Sequence, residues 1–119
     1  MNFTRILALS FALLSTTIAP AFASVKDAPQ SYLRKDTQEI VVFVNDGKLY
    51  CRRIADNFEL CHGMEEQPDG SWTGDKMKHP DMPGFMTFNG TVTFREGELT
   101  IKGCAVGNSM CDSEVWIRQ

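Results

Sequence analysis

Four cysteines constrain this chain more than any other feature. Cys51, Cys61, Cys104 and Cys111 form two close pairs, and each pair straddles a turn-forming stretch. Ala55-Asp56-Asn57 separates the first two, and Gly107-Asn108 separates the second two. If Ala55 to Asn57 reverses the chain, Ile54 faces Phe58, and Cys51 and Cys61 lie equally far from the turn. The same holds for Cys104 and Cys111 about Gly107-Asn108. Residues directly opposite in an antiparallel pair have Cα atoms within disulfide reach. The register therefore predicts two local bridges, Cys51–Cys61 and Cys104–Cys111. Simple counting puts the second at a hydrogen-bonded site, where side chains stand further apart, so a bulge is expected to shift it. No C-x-x-C pair competes as a zinc motif.

An even cysteine count in a small domain reads as a disulfide framework made in an oxidising compartment. The N-terminus agrees. Arg5 precedes a mostly apolar run from Ile6 to Ile18, and Ala21-Phe22-Ala23 is a small-x-small cleavage site. The run is too short for a comfortable membrane span. Residues 1–23 are predicted to be a cleavable signal peptide, which places the mature chain in the periplasm with no membrane span. Removing it takes one basic residue, Arg5, and no acid, so the formal charge moves from −3 to −4. An acidic domain argues against nucleic acid and anionic membranes as partners. What remains is one domain, expected to be monomeric and in need of the extra constraint that disulfides supply.

From Glu39 onward, β-branched and aromatic residues recur in short runs between Gly, Asn, Asp and Pro. Residues 24–38 lack such periodicity and read as a loose leader, leaving 39–119 as the domain. Ile40 to Val44 is a continuous apolar strand, and Asn45-Asp46-Gly47 is a hairpin turn. Strands follow at Lys48 to Ile54, Phe58 to Met64 and Trp72 to His79, and Pro80 to Gly84 is a loop. Phe85 to Phe94 is ambiguous, because Asn89-Gly90 resembles a hairpin turn. A reversal there would split the apolar residues between two faces. As one strand bent at Gly90, Met86, Phe88, Val92 and Phe94 share a face. Leu99 to Cys104 and Cys111 to Arg118 complete an all-β meander. With seven to eight strands, it fits a small antiparallel up-and-down barrel or a tightly curled sheet.

Several spaced segments resemble a known family. Trp72-Thr73-Gly74-Asp75-Lys76-Met77-Lys78-His79-Pro80-Asp81 is similar to a segment Trp-Ser/Thr-Gly-Gly-x-Ile-Tyr-Asp/Asn-Pro-Glu/Asp. Gly47-Lys48-Leu49-Tyr50-Cys51-Arg52-Arg53-Ile54, Phe88 to Phe94, and the closing Leu99 to Gly107 and Cys111 to Arg118 match further pieces in order. Over roughly residues 39–118 the chain resembles the small exported bacterial proteins of domain of unknown function 2147, as a shortened and divergent member. The resemblance implies a lipocalin-like antiparallel barrel. It brings no activity and no catalytic residues.

The residues themselves point weakly to chemistry. No nucleophile triad, phosphate loop or paired metal histidines occur, and the acids are scattered over turns, so the chain reads as non-enzymatic and without a cofactor. Tyr50, Trp72, Phe88 and Trp116 could line a ligand pocket, or simply fill a small barrel. By its size alone, Trp72 should pack in the core, at the barrel end beneath Pro80 to Gly84. His62 and Met64 are two apart, as are Met77 and His79, so each pair should share a strand face and offer ligands suited to copper(I). Methionines also fill irregular core gaps. Three functions follow as expectations. The first is a periplasmic binding module for a small apolar ligand or envelope component. The second is a protein-interaction module, such as an envelope-stress factor or a hydrolase inhibitor. The third is a copper(I)-binding protein.

Overall fold

The computed structural model describes residues 24–105 and 109–119. The expected signal peptide and the Gly107-Asn108 turn lie outside the described residues. Eight strands run in chain order: β1 (Gln30–Arg34), β2 (Gln38–Asn45), β3 (Lys48–Arg53), β4 (Glu59–Glu66), β5 (Trp72–Met77), β6 (Phe88–Arg95), β7 (Glu98–Ala105) and β8 (Met110–Arg118). Each pairs antiparallel with the next, and β8 returns to β1, so the sheet is a closed barrel. No helix among the described residues is long and apolar enough to cross a membrane.

Side-chain alternation builds the interior. Ile40 and Val42 on β2, Leu49 and Cys51 on β3, Leu99 and Ile101 on β7 all point into the barrel and are buried. Asp46 and Gly47 both have positive φ, the geometry that suits the twist of a two-residue hairpin. The β1–β2, β3–β4 and β5–β6 connections lie at one end, here the lower end, with the last residues of β7 and the first of β8. The β2–β3, β4–β5 and β6–β7 turns lie at the upper end, with the chain that enters β1. Val25 in that entering segment is buried within the core cluster, and Lys26 pairs with Glu66 at 2.8 Å.

Both disulfides join the residues the hairpin register pairs, Cys51 with Cys61 and Cys104 with Cys111. Cys51 and Cys61 are fully buried inside the barrel, between two register shifts. The second bridge lies nearer the surface, with Cys111 exposed. Its Cα separation of 4.0 Å is the close spacing of a non-hydrogen-bonded pair, and β7 and β8 keep one register on both sides of it. No bulge is needed there.

Three expectations need correction. Residues 24–38 are not a loose leader, because Gln30–Arg34 forms β1 and closes the barrel. Its alternation is hidden by polarity: Gln30, Tyr32 and Arg34 are the inward set. The strand through Asn89-Gly90 is continuous, but it starts at Phe88. Phe88, Val92 and Phe94 pack into the core, whereas Met86 stays in the preceding loop and Phe85 is 85% exposed. Trp72 is buried as expected, yet it packs at the upper end with Tyr32, Phe94 and Val25, not beneath Pro80 to Gly84 at the lower end.

Candidate functional site

The lower end of the barrel holds a cavity of about 620 Å³. Leu60, Met77, Phe88, Ile101 and Trp116 form its apolar wall. They come from five strands, each at an inward position. Gly103 leaves the space open: a Cβ there would meet only Met77 and Phe88, both at 3.9 Å. Met82 and Met110, both exposed, stand at the rim.

One wall is polar and centred on Arg34. Its side chain is 1% exposed, on the inward side of β1. Nε and Nη2 donate to the two carboxylate oxygens of Glu114 at 2.7 and 2.9 Å, and Nη1 donates to Gln38 Oε1 at 2.9 Å. Trp116 Nε1 donates to Glu114 Oε1 at 2.9 Å. Burial pushes the Glu114 carboxyl up, but the Arg34 and Trp116 hydrogen bonds and the guanidinium charge outweigh it and hold the group at about 2. Glu114 therefore stays ionised near neutral pH. Gln38 Oε1 also accepts from Arg53 Nη1 at 3.0 Å, and Arg53 pairs with Asp56, so the polar chain runs out to the β3–β4 turn. His79 sits beside this wall. Its Nε2 is 3.5 Å from Arg34 Nη2 and 3.7 Å from Glu114 Oε2, and its Nδ1 accepts from the Asp81 amide at 3.1 Å.

The sequence-derived residues divide among three places. Phe88 and Trp116 line this cavity, as do Met77 and His79. Tyr50 is on the outer face, stacked on Phe43 at 5.5 Å and edge-on to His62 at 5.3 Å. Trp72 is at the upper end. His62 and Met64 do not share a face, because Gly63 between them has φ +63° and makes a bulge that resets the alternation. His62 is exposed and bonded to Glu59 at 2.9 Å, while Met64 is fully buried. The four residues of the copper(I) reading thus form no single cluster. Among the described residues no group of three His, Cys, Asp or Glu side chains is placed to hold a metal ion. The four cysteines are all in disulfides.

Sequence reasoning missed Arg34, Gln38 and Glu114. Two signals were present. Glu114 shares strand parity with Trp116, and an arginine in step with Tyr32 needs a buried acid. A second depression, of about 700 Å³, crosses the outer faces of β4 to β8 and is lined mainly by polar residues such as Glu65, Thr73 and Lys102. It lacks an apolar floor.

A closed eight-stranded antiparallel barrel with an open, mainly apolar lower mouth is the class that this fold and site define. No protein-family model, curated protein or solved structure matches the chain.

Proposed function

We propose that this chain is an exported, non-enzymatic binding module of the periplasm that holds the apolar part of a small ligand in the lower mouth of its barrel. The cavity carries the reading. Its volume falls within the range of small-molecule sites, and it combines an apolar wall with a few fixed polar groups. The two disulfides and the small-x-small site at Ala21-Phe22-Ala23 support an exported protein.

The test is titration with N-phenyl-1-naphthylamine, a neutral apolar fluorophore. Saturable binding at one site is expected. Gly103→Leu should abolish it while leaving the barrel folded, because the added side chain enters the cavity from a backbone without positive φ. Absence of saturable binding, or full binding by Gly103→Leu, rejects the cavity as the site.

One observation favours a second reading, a protein-interaction module: Phe85 projects from the β5–β6 loop at the same end. Phe85→Ser should leave the fluorophore titration unchanged. A partner lost with Phe85→Ser but retained by Gly103→Leu would favour that reading.

A further inference from the structure

We infer that the lower end of the barrel docks on a lipid bilayer surface of zwitterionic headgroups. The inference concerns the outer rim and goes beyond the cavity reading. Six large apolar side chains are exposed among the described residues, and four of them, Ile54, Met82, Phe85 and Met110, sit at the lower end. Ile54 is on the β3–β4 turn, Met82 and Phe85 are on the β5–β6 loop, and Met110 opens β8. The other two, Val115 and Ile117, are on the outer face of β8. The upper turns, with Asp46-Gly47, Pro68 to Gly70 and Glu96-Gly97, carry none. Clustered exposed apolar residues mark interaction surfaces.

The β5–β6 loop is held so that Phe85 faces out. Two turns build it, closed by the Met82 amide donating to the His79 carbonyl at 3.1 Å and the Met86 amide donating to the Pro83 carbonyl at 3.0 Å. Lys78 Nζ donates to the Gly84 carbonyl at 2.6 Å, and Lys35 pairs with Asp81 at 3.7 Å. The exposed tips come from three separate segments at a hollow mouth. A protein partner would have to span that hollow with a shaped surface, whereas a fluid lipid surface conforms to separate tips. The charges fit the same surface. Arg53 pairs with Asp56 at 2.7 Å, Lys35 pairs with Asp81, and Lys78 and Asp112, both lining the mouth, are opposite in sign. Asp36 lies on the β1–β2 turn, the lower connection with no exposed large apolar residue. This near balance lacks the basic cluster that draws a protein to anionic lipid. Asp46, Asp69 and Glu96 put acid on the upper turns, which face away.

The experiment is flotation of the purified protein with phosphatidylcholine vesicles. Binding is expected, and added salt should not weaken it. Phe85→Ser should weaken it about tenfold, and adding Ile54→Ser and Met110→Ser should abolish it with thermal stability unchanged. Brominated phosphatidylcholine should quench the tryptophan of Phe85→Trp, at the lower end, and not that of Glu96→Trp, at the upper. Gly103→Leu should still float, so this inference and the cavity reading fail separately. No flotation, flotation kept by the triple variant, or binding confined to vesicles containing phosphatidylglycerol and lost in salt overturns the inference. Self-association of the parent that Phe85→Ser suppresses, without flotation, assigns the apolar tips to a second copy and overturns it as well.

Discussion

Met77 occupies the space that a side chain on Gly90 would need. A Cβ at Gly90 would lie 1.6 Å from Met77 Sδ and 2.7 Å from the Lys102 carbonyl oxygen. Gly90→Ala should therefore cost roughly 1–3 kcal/mol by overpacking, read from the urea midpoint. The Lys102 contact is backbone, so Met77→Ala should relieve only part of it. Trp72, 2% exposed, should behave as core: Trp72→Ala should lower stability by about 3–5 kcal/mol in chemical denaturation with both disulfides intact. An unchanged midpoint would make it a rim residue instead. At this scale the sequence revealed the bulk of Trp72 and a single strand running through Gly90, but not the neighbours of Trp72 or the packing of Met77 against Gly90. Strand parity failed at His62 and Met64 because a single positive φ at Gly63 resets it, and nothing in the residue names distinguishes that glycine from one in a turn.

Among the elements, β1 shows most clearly what sequence patterns hide. Gln-Ser-Tyr-Leu-Arg has no apolar stripe, because two of its three inward residues are polar: Gln30 accepts from the Tyr32 hydroxyl on the same strand, and Arg34 pairs with Glu114 on β8. The later strands were legible because their inward residues are apolar and their turns carry Asn, Asp and Gly. Among the described residues, two register pairs join β1 to β8, Tyr32 with Arg118 and Leu33 with Ile117. Beyond them, Arg34 and Glu114 bridge the same two strands through side chains. Arg34→Met leaves Glu114 without its cation and should cost about 3–5 kcal/mol. Adding Glu114→Gln should recover part of that loss while keeping an acceptor for Trp116 Nε1. The pH dependence has a definite sign. Glu114 is held at about 2, below its ordinary 4.5, so the folded state binds its proton less readily than the unfolded chain. The resulting stabilisation is fully present above pH 4.5 and is lost as pH falls through about 2. Acid titration followed by circular dichroism should show a shallower acid limb for Glu114→Gln than for the parent.

For the whole molecule, the two disulfides have different exposures and so different fates. Cys51–Cys61 is sealed in the interior, whereas Cys111 reaches the surface. Under native conditions a mild reductant followed by alkylation should label Cys104 and Cys111 first, as peptide mapping would show. Equal labelling of all four would mean that the barrel opens globally before either bridge is reduced. In the loop-entropy account each bridge is worth about 2–3 kcal/mol. The meander and its bridges were legible from local spacing, since seven of the eight strand pairings join consecutive strands. The eighth was not, because it joins β1 to β8 across most of the chain.

That eighth pairing also decides how the protein meets its own copies. While β1 and β8 are joined, every strand has two neighbours, although among the described residues only Ile117 and Arg118 of β8 pair with β1. Opening that single line creates two free strand edges at once, each complementary to the opposite edge of another opened copy. Arg34→Met in mild acid should thus yield strand-exchanged oligomers that grow with protein concentration, while the parent stays at one size in light scattering.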